Sequence, residues 1–351
     1  MLCDITLNDL RSYRLNVYGS FFFEYQSDAF ISILKENDIP IDQVKKISFS
    51  GDQIKIAWGR FFEKLCNLRD VVISASEKLC LNCFNFENST VQTLNLTAPE
   101  IWLNDGVFIN ATELVCVSFN GKIVPLQTKG RFPELTFKGC TKLSQVNGSF
   151  FGESLMGSVF ADCRSLRYPL DIYVKDLGSR AFYGCESLDK IHLHNGLENL
   201  GYGSFENCKS LRDIYVPDSV VNLGFSTFQN CVSLKTIHLP KELKRIGSNV
   251  FSGCESLNKV FLSDNLECID SGAFEGCRSL HNVWLPDHLK KIGSHAFSGC
   301  HSIYELYIPA GIEEIGENAF CDCPNLMIKG KSGSIAEQIA NGYRIPFKPC
   351  I

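Results

Sequence analysis

Residues 231–254 read CVSLKTIHLPKELKRIGSNVFSGC. Within this stretch a cysteine is followed three residues later by an aliphatic residue (Cys231, Leu234), and the closing cysteine follows a phenylalanine by three (Phe251, Cys254). Moving outward in both directions, the same arrangement returns. Its phenylalanines are Phe137, Phe160, Phe182, Phe205, Phe228, Phe251, Phe274, Phe297 and Phe320, spaced by 23, 22, 23, 23, 23, 23, 23 and 23 residues. Each is followed three positions later by a cysteine, from Cys140 to Cys323. A fixed period of this size signals stacked repeats. One unit cannot bury its own apolar side, so Phe, Cys, Leu and Ile must stack on their copies above and below.

The unit from Phe205 to Phe228 predicts the local structure. Ile214 and Val216 alternate with polar positions and form a strand. Pro217 ends the ladder, a turn through Asp218 and Ser219 follows, and Val220, Leu223 and Gly224 lead to the next anchor. The recurring Gly201, Gly224, Gly247, Gly293 and Gly316 suit a tight corner or a positive φ. Asp270 takes that place once, which fits a left-handed position.

Farther out the pattern loosens. Phe62, Phe86 and Phe108 are weaker anchors, separated by 24 and 22 residues and followed by a gap of 29, with the largest insertion expected around 122–131. Residues 51–136 therefore read as degenerate repeats, and 137–328 as regular ones. Residues 1–50 lack the repeat. Ser27 and Asp28 before Ala29, Phe30, Ile33 and Leu34 predict a capped amphipathic helix in an N-terminal cap. Residues 329–351 form a C-terminal cap, and 51–351 is expected to be one continuous solenoid.

With 45% hydrophobic and 21% charged residues, the chain has ample core and is not of the disordered class. A net charge of −5 argues against a nucleic-acid partner. Nine of the seventeen cysteines fall on the repeat period, which points to small buried side chains and no structural disulfides. Many reduced thiols fit a reducing compartment. No run of about 18 apolar residues exists for a membrane span. Met1–Asp9 has no secretory pattern. A cytoplasmic monomer is expected, the alternative being a cell-surface or secreted protein whose signal has been trimmed.

The unit Cys-x-x-Leu-x-x-Ile-x-Leu-Pro-x-x-Leu-x-x-Ile-Gly-x-x-Ala-Phe-x-x-Cys resembles the BspA-like (Treponema pallidum-type) leucine-rich repeat. Residues 231–254 match it nearly throughout, with Val250 in place of the Ala. The resemblance implies a β-rich repeat solenoid: a right-handed leucine-rich repeat stack, parallel strands on its concave face, a mostly irregular convex side. The segment Gly330–Ala340 through Phe347 looks like the C-terminal cap of bacterial members, with a short helix over the last coil. The family further implies a protein- or surface-binding module, and many relatives are surface or secreted proteins.

On such a strand the residue between two buried aliphatics faces the open side. That column is Ser48, Val72, Asn95, Ser118, Asn147, Pro169, His192, Tyr215, His238, Phe261, Trp284 and Tyr307. Its last six members, all aromatic or imidazole, are the candidate binding stripe. Lys190, Asp213, Thr236, Lys259, Asn282 and Glu305 flank it on one side. Arg212, Lys235, Asn258, His281 and Tyr304 flank it on the other. Alternating charge of this kind suits an unidentified protein or glycan better than a polyanion. Stacked rings would also stabilise the sheet face by themselves, and the two roles are compatible.

Other signals carry little chemistry. Cys80 and Cys83 have metal-ligand spacing without a second pair. The seven histidines largely follow the repeat phase. Asn88, Asn95, Asn110 and Asn147 begin glycosylation sequons, which matter only in a secretory pathway. Neither a phosphate loop nor a nucleophile elbow is present. No catalytic residue, metal or cofactor is expected. The function predicted is a non-catalytic binding scaffold. The alternatives are a surface adhesin or structural protein using the same face, and, from another class, an enzyme using the solenoid as a platform.

Overall fold

The computed structural model describes residues 2–9, 12–18, 21–23, 27–36, 38–56, 60, 62–125, 131–167, 170–281 and 283–350, with side chains from residue 31 onward, residue 33 excepted. By its contacts the chain divides into two compact units, Met1–Ile172 and Tyr173–Ile351.

In the N-terminal unit, long strands Val44–Ile56, Asp70–Leu81, Thr93–Leu103 and Cys116–Pro125 pair in parallel, followed by Gln145–Asn147. Ile47, Val71, Leu94, Val117 and Val146 stand in register and are all buried. Register shifts at Gly51/Gln53, Ser74/Lys78 and Thr97/Glu100 mark where the strands turn a corner. Beyond it a second inward row forms from Ile54, Leu79 and Ile101, joined in register by Ile123. The helix Ser27–Glu36 precedes the strand Val44–Ile56. Two further strands have no counterpart in the repeat pattern: Ser12–Tyr18 joins Val44–Ile56 in parallel, and Leu2–Asp9 adds antiparallel to it.

In the C-terminal unit most coils have two short strands. One series includes Asp213–Tyr215, Thr236–His238 and Lys259–Phe261; the other includes Arg245–Ile246, Cys268–Ile269, Lys291–Ile292 and Glu314–Ile315. The end is covered as the family resemblance implies. Helix Ile335–Tyr343 buries Ala336 and Ala340, and Phe347–Pro349 pairs in parallel with Met327–Gly330.

All twelve anchor phenylalanines are buried. In the C-terminal unit consecutive rings from Phe182 to Phe320 stack with centroids 5.2 to 5.9 Å apart. The flanking backbone makes two left-handed steps per coil. Two residues before the anchor stand Arg180, Ser226, Asn249, His295 and Asn318; two after it stand Asn207, Asn230 and Asp322, with glycine elsewhere, as at Gly203 and Gly253. Asn, Asp and Gly recur there because these residues tolerate positive φ.

The corner glycines have a different cause from one half of the sequence reading. Gly201, Gly224, Gly247, Gly293 and Gly316 do not have positive φ, and neither does Asp270. Instead the backbone of the preceding coil lies against most of them. A Cβ on Gly224 would sit 2.5 Å from the Tyr202 nitrogen, and one on Gly316 would sit 2.3 Å from that of Ser294.

The repeat cysteines are more than filler. Each thiol from Cys208 to Cys323 on the period donates to the phenylalanine carbonyl of the preceding coil, as Cys254 does to Phe228 at 3.1 Å and Cys277 to Phe251 at 3.2 Å. Cys140 and Cys163 do the same to Phe108 and Phe137. The sixteen cysteines whose side chains are described are free thiols. Burial pushes the Cys254 thiol up to about 12 and Cys323 up to about 11, and holds Cys208, Cys231, Cys277 and Cys300 well above the ordinary thiol value.

A pH dependence follows. The folded chain keeps thiol protons that the unfolded chain releases, so the stabilising difference is intact below about pH 8.5 and declines as pH rises above it. Thermal melts from about pH 7 to pH 10 are expected to show a falling Tm. A Cys254→Ala/Cys277→Ala variant should show a shallower fall, and equal slopes would contradict the assignment.

Candidate functional site

In Asp213–Ile214–Tyr215 the outer residues are exposed and Ile214 is buried. The same alternation holds in Lys259–Phe261 and Glu305–Tyr307. The open face therefore has two columns. One holds His192, Tyr215, His238, Phe261, Trp284 and Tyr307, all exposed. The other, two residues earlier on each strand, holds Lys190, Asp213, Thr236, Lys259 and Glu305. Tyr215, His238 and Phe261 are in direct register. Arg212 and Lys235 are exposed at the strand entries, linked by a backbone hydrogen bond from the Lys235 N–H to the Arg212 carbonyl. Asn282 and Pro169 lie outside the described residues.

The rings are not one continuous stack. His238 and Phe261 stack face to face with centroids 4.1 Å apart. The Lys259 ammonium sits 4.3 Å from the centre of the Phe261 ring. Trp284, by contrast, is 84% exposed and makes no ring, hydrogen-bond or cation contact among the described residues. Tyr215 is 59% exposed. Glu305 pairs with Lys329, which holds the Glu305 carboxyl below its usual range.

Three shallow depressions run along this face. One of about 290 Å³ includes Lys190, His192, Asp213 and Tyr215 in its lining. A second, of about 620 Å³, includes Tyr215, His238, Phe261, Asp218 and Asp264. The third, of about 680 Å³, includes Lys259, Phe261, Trp284, Tyr307, Asp264 and Asp287. The aspartates are an element that the strand-column reading missed. Their signal was the turn after each strand: Pro217-Asp218, Ser263-Asp264 and Pro286-Asp287. Asp218 is paired with Lys241 at 3.2 Å, whereas Asp264 and Asp287 form no ion pair among the described residues.

The second strand series offers a contrast. Its outward side chains pair between coils: Asn222 with Asn199, Arg245 with Asp270, Lys291 with Glu314. In the N-terminal unit, the equivalent column is half-buried at Ser48, Val72 and Ser118 and exposed at Asn95 and Asn147, with Asn147 donating to Ser118. Cys80 is half-buried and Cys83 buried, and burial raises both thiols. No group of three or more His, Cys, Asp or Glu able to hold a metal occurs among the described residues. Among them, too, no helix is long and apolar enough to cross a membrane.

A family model described as "BspA type Leucine rich repeat region" matches residues 40–167, 126–234 and 201–327. A leucine-rich repeat protein from Bacteroides ovatus has the same fold, with TM-score 0.58 at 20% identity over 99% of this chain and 98% of that one. One from Eubacterium ventriosum gives 0.49 at 20% identity, covering 91% and 92%. The T. pallidum leucine-rich repeat protein gives 0.41 at 23%, covering 59% and 84%. No curated protein matches.

Proposed function

The chain belongs to the BspA-type leucine-rich repeat family, and from that premise we propose that it is a non-catalytic scaffold. It binds a protein partner, or a glycan carried by one, on the aromatic face of residues 173–351. The observation that carries this reading is Trp284. The repeats bury their anchor phenylalanines and inward aliphatic residues, yet this indole stands 84% exposed at a regular strand position, the most exposed large apolar side chain among the described residues. An exposed apolar patch of this kind marks a contact surface, and Trp and Tyr dominate the energetics of such surfaces. The depressions beside it are shallow and mix rings and aliphatic residues with charged side chains, an arrangement suited to contact with a partner's surface. The free thiols favour a reducing compartment and so a cytoplasmic location; fractionation that recovers the chain from the cell surface would overturn that placement.

Replacing Trp284 and Tyr215 together with Ser should weaken partner capture at least about tenfold, the loss of a hot-spot pair, with an unchanged circular dichroism spectrum. Capture equal to that of the unmodified chain would move the site elsewhere.

A further inference from the structure

Several rings of this protein carry a lysine or arginine on their face. Lys78 lies 3.8 Å from the centre of Trp102, and Lys259 lies 4.3 Å from the centre of Phe261. Arg180 lies 5.3 Å from Tyr183 and 5.2 Å from Tyr202. Trp is the strongest of these π donors. Trp284 nevertheless has no cation on its face among the described residues, and it is the most exposed of the large apolar side chains described.

Its surroundings have the charge that a cation needs. The depression that Trp284 lines also contains Asp264 and Asp287, neither in an ion pair. Lys259 is the ammonium in that lining, and it is already committed to Phe261. Two carboxylates against one ammonium, with the His288 imidazole also in the lining and counted as neutral, leave the depression with a formal net negative charge. Asp264 also borders the adjoining depression, where Lys241 is held by Asp218. The lysines of these two depressions, Lys259 and Lys241, thus each have a partner, and two acceptor carboxylates do not.

We infer that the Trp284 depression takes a basic side chain, an arginine or lysine presented by a protein partner, with the cation on the indole face and Asp264 and Asp287 as its counter-charge. This rests on the reading of the aromatic face as the binding surface and specifies the partner's chemistry. A neutral glycan would use the indole but would not need both carboxylates unpaired. An acidic segment would be repelled by them.

The test uses the intact chain and short synthetic peptides that are identical except for a central arginine, lysine, glutamine or glutamate, with a neutral cello-oligosaccharide as a further probe. The readout is the indole N–H resonance of Trp284, assigned by its disappearance in Trp284→Phe. The arginine and lysine peptides should shift it, and added salt should weaken the effect. Asp264→Asn/Asp287→Asn should lower their affinity about tenfold. A resonance that no basic peptide moves overturns the inference. So does one that all peptides or the oligosaccharide move equally, or one that responds identically in the Asn variant. Partner capture separates the two readings. Loss in Trp284→Ser/Tyr215→Ser with full capture by Asp264→Asn/Asp287→Asn removes the cation and keeps the face; full capture by both variants removes both.

Discussion

Phe251→Ala is expected to lower stability by about 3–5 kcal/mol, the range for truncating a fully buried phenylalanine. The ring has no exposed surface and stacks between Phe228 at 5.7 Å and Phe274 at 5.3 Å. Truncation removes two ring contacts as well as the buried area. The site also resists collapse. Hydrogen bonds from the Phe228 N–H to Val250 and from the Phe251 N–H to Ala273, at 2.9 and 2.8 Å, fix the spacing of the coils on either side. The cavity therefore stays open, which puts the cost toward the upper end. Phe320→Ala supplies the comparison: that ring is slightly exposed and has one stacked neighbour, Phe297, so its loss should be smaller. Urea denaturation of both variants measures the difference. A loss under about 1 kcal/mol for Phe251→Ala would mean that the anchor rings do not hold the coils together.

The fold was legible because each inward position is repeated in phase: an error at one coil is corrected by the next. Phe137 to Phe320 and Cys140 to Cys323 follow one rule, and burial of the Phe column follows from that rule, whereas the thiol hydrogen bonds to its carbonyls do not show in it. What the period could not show lies where coils differ. Ser12–Tyr18 and Leu2–Asp9 extend the sheet without any anchor residue, so no period points to them. The second strand series breaks between Leu223 and Ile246, beside the corner where Phe225 stands in the place that later coils give to Ser248, Ser271 and Ser294. The candidate face was legible for a similar reason. Strict alternation around Ile214 and Val260 names which neighbours are exposed, and His192 through Tyr307 are all exposed. Alternation says nothing about turns, so Asp264 and Asp287 were not seen beside Trp284. Nor does it reveal that Lys259 covers Phe261 while Trp284 stays uncovered, a matter of rotamers rather than of register.

Gly293→Ala is expected to cost about 2–3 kcal/mol, the upper part of the range for overpacking. An added Cβ would stand 2.5 Å from the Ser271 nitrogen and 2.6 Å from the Asp270 carbonyl carbon, both backbone atoms that cannot rotate away. The same corner is tied to the preceding coil by a hydrogen bond from the Gly293 N–H to the Ile269 carbonyl at 2.7 Å, so relieving the clash means lengthening that bond. The φ of Gly293 is not positive, so backbone strain is no part of the cost. Gly247→Ala isolates the mechanism. There the nearest atom to an added Cβ is Cδ1 of the Phe225 side chain at 3.0 Å, and the corner makes no equivalent hydrogen bond. The half-exposed Phe225 ring can swing outward, so Gly247→Ala should cost less than about 1 kcal/mol. The two substitutions are chemically identical and 46 residues, two coils, apart. Denaturant melts in which they cost the same would show that the glycines are kept for some reason other than the close approach of neighbouring coils.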